Sequence, residues 1–160
     1  MKKNVLIAAF LLFGGVLFAQ QEKGDLIVRF NGNFSKYGEA DGTANINVKG
    51  GYFVTKNIEG GAETTLMLGS GFSNVSVGAY GTYNFLTSDA KMVPYAGGRA
   101  SLSVASVGEF SNSFATVGAY GGLRYFMTEK VNIDTGLSYD IGTVNILMWN
   151  VGIGVILGKK

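Results

Sequence analysis

The feature that most constrains this chain is an alternation of side-chain character with a period of two. It runs through eight stretches: 26–34, 44–54, 58–68, 75–85, 94–104, 115–125, 131–141 and 147–157. In every stretch one phase carries no charge and no amide, and Thr64 and Thr135 are its most polar members. The opposite phase carries Arg29, Lys49, Glu59, Glu63, Arg99, Arg124, Asp134 and Asp140, together with Asn31, Asn33, Asn45, Asn47, Asn84, Asn132 and Asn150. Period two is the signature of strands with two unlike faces. Eight such stretches joined by short polar connections read as an antiparallel meander.

Volume decides which face points inward. The polar phase is rich in glycine (Gly51, Gly61, Gly78, Gly97, Gly118, Gly122, Gly136, Gly152 and Gly154), while the bulky aliphatics lie on the other phase. The interior of an eight-stranded barrel is just wide enough to be filled by side chains, so small residues suit it. Lipid sets no such limit on the outer face. A soluble ligand-binding barrel, apolar inside and polar outside, is the reverse arrangement and fits less well. Hydrocarbon also tolerates no open sheet edge, which requires closure. The expected fold is therefore all-β: an eight-stranded antiparallel up-and-down transmembrane β-barrel.

An export segment is expected before the barrel. Met1-Lys2-Lys3-Asn4 is a basic start, 5–18 is an apolar run broken by Gly14-Gly15, and polar residues follow Ala19. This is the pattern of a secretory signal, with an apolar run too short for a membrane-spanning helix. Leu17 is larger than the residue such cleavage sites prefer. The expected division is a signal peptide over 1–19 and a barrel domain over 20–160. Lys2 and Lys3 account for the excess of 13 basic over 11 acidic side chains. A neutral mature chain gives no reason to expect nucleic-acid binding.

Three segments resemble one another: Phe53-Val54-Thr55-Lys56-Asn57, Phe85-Leu86-Thr87-Ser88-Asp89 and Phe126-Met127-Thr128-Glu129-Lys130. Each follows an even-numbered stretch, which puts all three turns on one side, with both barrel termini; for an exported barrel this is the periplasmic side. Tyr52, Tyr83 and Tyr125 stand just before them and read as an interfacial aromatic girdle. Phe53 and Phe126 fall in the inward phase and Phe85 in the outward one. A bulge near Gly50-Gly51 is the expected way to re-phase the second strand. The opposite connections are expected at 35–43, 69–74, 105–114 and 142–146, facing outward from the cell.

The segment Gly50-Gly51-Tyr52-Phe53-Val54-Thr55 followed by Ile58-Glu59-Gly60-Gly61-Ala62 resembles the second hairpin of the outer membrane protein β-barrel domain family, the small OmpA/OmpX-like barrels. Val93-Pro94-Tyr95-Ala96-Gly97-Gly98 resembles the opening of a later strand. The resemblance extends over roughly residues 21–158. It implies insertion into a Gram-negative outer membrane by the barrel assembly machinery. One departure concerns the last outward residue, Leu157, where such barrels often finish on an aromatic. No cell-wall-binding domain is expected, since the chain stops after the eighth stretch.

Composition bounds the chemistry. There is no histidine and no cysteine, which excludes a Ser-His-Asp hydrolase, histidine-based or thiolate metal sites and a disulfide framework. Gly118 to Gly122 precede no helix and read as strand glycines rather than a phosphate loop. Glu59 and Glu63 superficially resemble a two-carboxylate hydrolase, but lumen charges paired with arginine explain them better. Buried charge persists only when paired, so the four basic and four acidic inward residues are expected to form a network, with Glu59 and Glu63 meeting the arginines of the fifth and sixth stretches, Arg99 and Arg124, in no assigned order. No catalytic residue, cofactor or metal is expected. The expected role is structural, or in envelope and surface interaction, for a monomer in the lipid bilayer. The rivals are a small pore or carrier for ions or apolar solutes and, more weakly, a lipid-modifying barrel enzyme.

Overall fold

The computed structural model describes residues 21–35, 43–86, 91–143 and 145–158. The expected signal peptide and its cleavage point, residues 36–42 of the first connection, and Thr87-Ser88-Asp89 of the second turn lie outside them. Eight strands follow one another: β1 Leu26–Ser35, β2 Thr43–Phe53, β3 Ile58–Gly69, β4 Phe72–Asn84, β5 Met92–Val107, β6 Phe110–Phe126, β7 Val131–Ile141 and β8 Ile146–Leu157. Each pairs antiparallel with the next, and β1 pairs with β8 to close the barrel.

The register aligns like phases with like. Arg29 lies opposite Lys49, Lys49 opposite Glu63, and Arg124 opposite Asp134. On the other phase, Val48 lies opposite Thr64 and Leu137 opposite Trp149. A slip of one residue would turn every side chain of a strand to the wrong face. Exposure separates the phases: Leu102 and Trp149 are 66% and 67% exposed, whereas Arg29 and Arg124 are 3% and 1% exposed. The outward Thr135 hydroxyl accepts a hydrogen bond from Trp149 Nε1 at 2.8 Å, so neither polar group faces the surroundings alone.

The inward glycines are seats for larger neighbours. A β-carbon on Gly51 would stand 2.1 Å from the Tyr80 hydroxyl, one on Gly97 2.7 Å from that of Tyr120, and one on Gly136 2.6 Å from that of Tyr95. Gly152 makes room for Asn31 and Gly118 for Asp140 in the same way. The outward Gly50 and Gly81 have nothing within 4 Å of such a carbon. The glycine content of the polar phase is thus a packing requirement of a narrow lumen.

The turn end, which holds both termini of the barrel, is built from the sequence repeat. Thr55 Oγ1 accepts hydrogen bonds from the backbone N–H groups of Asn57 and Ile58. Thr128 Oγ1 accepts from those of Lys130 and Val131 at the matching distances. The backbone N–H groups of Val54 and Thr55 donate to the Ile58 carbonyl, as those of Met127 and Thr128 donate to Val131. Short side-chain-to-backbone bonds of this kind fix a tight turn.

Two expectations need correction. No bulge re-phases β2: its pairing with β1 and β3 is continuous through Gly50 and Gly51. Phe53 and Phe126 simply point inward, 0% and 4% exposed, while Phe85 stays outside with its ring edge-on to Tyr83. The connections at 69–74 and 105–114 are also shorter than expected. Gly69 pairs with Phe72 and Val107 with Phe110, leaving Ser70-Gly71 and Gly108-Glu109 as the turns. Gly71 and Gly108 adopt φ of 70° and 59°, which glycine tolerates without strain. The polar residues on either side of Gly108-Glu109 extend the strands instead of forming a loop. As a result β6 runs past β7, which begins to pair with it at Val117.

Candidate functional site

The lumen is the candidate site, and it has three zones. The first lies at the turn end. Ile27, Phe53, Val93, Phe126 and Ile156 form a buried apolar cluster, each within two residues of a strand terminus. Ile27 pairs with both Gly51 and Ile156, so the cluster spans the β8–β1–β2 seam. Asn84 takes the inward place after Tyr83 that Phe53 and Phe126 take after Tyr52 and Tyr125. It is fully buried and accepts a hydrogen bond from Arg124 Nη1 at 2.7 Å; its Nδ2 donates to the Asn57 carbonyl, and Asn57 Nδ2 donates to the Asn84 carbonyl in return.

The second zone holds all eight inward charges named from the sequence. Glu59 is the hub of its lower half. Its carboxylate accepts two bonds from Arg29, at 2.6 and 2.5 Å, and one from the Tyr80 hydroxyl at 2.7 Å. Arg124 Nη1 approaches it at 3.6 Å, and Arg29 Nε lies 3.6 Å from Asp134. Tyr95 lies under the Arg124 guanidinium, 4.9 Å from its ring centroid. In the upper half Lys49 pairs with Glu63 at 3.0 Å, its ammonium over the rings of Tyr120 and Tyr80 at 4.3 and 4.9 Å. Arg99 binds Asp140 through two nitrogens and stands 3.9 Å from Glu63.

The expected partners are therefore present, but they are not the nearest. Arg124 and Arg99 do approach Glu59 and Glu63, yet the shortest contacts of the two carboxylates are to Arg29 and Lys49. Both glutamates are on β3. Lys49 is on the adjoining strand, and Arg29 reaches Glu59 from beyond it. Charge in this layer balances, four of each sign, and each carboxylate faces at least one cation. Buried ions without partners are costly enough to force this arrangement.

The third zone is neutral and lies toward the loop end. Asn33 donates to Asn150 and Asn150 to Ser138, while Asn31 donates to Asn47 and Asn47 to Thr65. Ser101 and Thr116 share a hydrogen bond at 2.7 Å. Cavities of about 50 and 60 Å³ run from here into the charged layer: Arg29, Lys49, Arg99, Arg124 and Asp134 line the first and Glu63, Arg99 and Asp140 the second, and none of the apolar cluster residues lines either one.

Reading the sequence missed Tyr80, Tyr95 and Tyr120 as parts of the interior. Their signal was present: all three fall in the inward phase, among glycines that only a large neighbour would require. Outside, Tyr52, Tyr83 and Tyr125 are 44%, 47% and 43% exposed beside the turns. Among the described residues no cluster of three or more acidic side chains is placed to hold a metal ion.

No protein-family model matches the chain, and no curated protein matches it significantly. Solved structures do. Neisserial surface protein A is 21% identical, with 82% of this chain and 94% of that one covered at a TM-score of 0.62. The N-terminal β-barrel domain of Pseudomonas aeruginosa OprF is 18% identical, with 86% and 100% covered at 0.64. A de novo designed transmembrane β-barrel is 15% identical, with 86% and 98% covered at 0.52. The fold is thus that of the small eight-stranded outer-membrane barrels. A designed barrel shares it, so the fold alone assigns no role.

Proposed function

We propose that this chain is an integral outer-membrane barrel with a floored lumen, serving envelope structure or surface interaction rather than through-passage. The single observation that carries this reading is the apolar cluster of Ile27, Phe53, Val93, Phe126 and Ile156 beneath the Glu59 ion pairs. A permeating ion would have to displace both. The outer face supports membrane residence: the strands carry a band of exposed apolar side chains, with Tyr52, Tyr83 and Tyr125 near its turn end, where aromatics suit a membrane interface. The likeness to outer-membrane barrels agrees with that location.

The interior argues against chemistry as well. Glu59 and Glu63 are each engaged in ion pairs, with Arg29 and Arg124 and with Lys49 and Arg99 respectively. A monomer inserted by the barrel assembly machinery fits this reading, since closure leaves no unpaired edge within the membrane for strand addition by a second copy. Solute release tests the reading. Liposomes holding the folded barrel should retain small neutral sugars and salts as empty liposomes do. Release that depends on the protein would favour the pore or carrier.

A further inference from the structure

We infer that the loop-side half of the lumen is a binding site for a small uncharged hydrogen-bond donor of the carboxamide class. Two cavities of about 50 and 60 Å³ extend from there into the charged layer and share Asn45, Thr65, Arg99 and Met148 in their walls. Asn31 lines the first, Asn74 the second, and Asn45 both. The side-chain oxygens of these three asparagines are buried without a hydrogen-bond partner, and Asn45 as a whole is 5% exposed. A buried acceptor left without a donor is costly and uncommon. Three such acceptors call for a molecule that donates, and the unpartnered Nε groups of Arg29 and Arg124, which line the first cavity, call for one that also accepts, as a carboxamide does.

Charge and shape narrow the class. Arg99 lines both cavities, and Arg29, Lys49 and Arg124 line the first, which disfavours a cation. All four are already engaged by carboxylates: Arg99 by Asp140 and Glu63, Lys49 by Glu63, and Arg29 and Arg124 by Glu59. An anion in the second cavity would meet those same carboxylates, since Glu63 and Asp140 line it. An uncharged occupant meets neither penalty. Met67, Phe114, Ile146 and Met148 add an apolar side to the second cavity, which suits a short alkyl group. A water needs about 10–15 Å³ of such space, so each cavity holds an occupant of about four or five non-hydrogen atoms. The inference does not depend on a sealed floor, because a conducting barrel could still hold a molecule here.

Titration of the mature barrel in lipid nanodiscs with acetamide, followed by NMR, tests it, with acetate as the charged molecule of the same shape. The expected result is a saturable shift confined to the side-chain amides of Asn31, Asn45 and Asn74, with no saturable shift from acetate. Asn45→Leu should weaken acetamide binding about ten-fold, on the scale of a lost hydrogen bond to a buried group. Asn74→Ala, nearer the loop-end rim, should weaken it less and serves as the test if Asn45→Leu does not fold. Shifts that rise linearly without saturation, equal binding of acetate, or acetamide binding unchanged in a folded variant would each overturn the inference.

Discussion

The hydroxyl of Tyr80 fills the space in which a β-carbon on Gly51 would stand, 2.1 Å from that point. The ring reaches across β3 to rest on a bare stretch of β2, and from there its hydroxyl holds Glu59. A glycine on one strand thereby positions the hub of an ion-pair network drawn from four others, β1, β3, β6 and β7.

Gly51→Ala should destabilise the barrel by about 1–3 kcal/mol, the usual cost of overpacking, by pushing Tyr80 off Glu59. Gly50→Ala, one residue away with open space outside, should be close to neutral. Urea unfolding of the two variants in lipid, side by side, checks the contrast. Equal effects would mean that the two glycines serve the backbone and not the lumen.

Glu59→Gln should cost about 3–5 kcal/mol, because Arg29 and Arg124 lose their shared counter-charge in a fully buried place. Glu63→Gln should cost less, since Arg99 keeps Asp140. The same unfolding assay ranks the two, and the reverse order would show that Lys49 depends on Glu63 more than the arginines depend on Glu59.

Thr55→Val and Thr128→Val should weaken the barrel by similar amounts, about 1 kcal/mol each, as for the loss of a side-chain cap. The two hydroxyls hold matching pairs of backbone N–H groups. Hydrogen exchange at Ile58 and Val131 reads the effect locally, and acceleration at one turn without the other would show that the repeat is not structurally equivalent.

Asn84→Leu should cost about 1.5–3 kcal/mol, the range for a hydrogen bond to a charged group, because Arg124 Nη1 loses its closest acceptor. The apolar replacement resembles Phe53 and Phe126 at the matching positions, so a stabilised variant would mean that packing outweighs the polar contact there.

The alternation made strand number, strand faces and the inward set of charges legible, since a chain with lipid on one side and a filled lumen on the other must separate its residues by phase. Pairing within the lumen was not legible in the same way. Which cation is nearest to Glu59 depends on reach across the barrel, and Arg29 arrives from a strand that does not adjoin β3. The inward Phe53 and Phe126 looked like a phase error because an apolar floor was not anticipated inside a polar lumen. The 105–114 segment read as a loop because serine, asparagine and glycine favour loops in general. Here they continue a ladder in which Val107 pairs with Phe110.

The central claim is that the floor is closed, and single-channel recording in planar bilayers addresses it most directly. The folded barrel should give no discrete conductance steps above the bare membrane. Phe53→Ala should remain silent as well, because the Arg29–Glu59–Arg124 layer still stands above the opened floor. Reproducible steps from the unaltered barrel, changed in size by Arg124→Ala or Arg99→Ala, would contradict the closed lumen and establish an ion path through the charged layer.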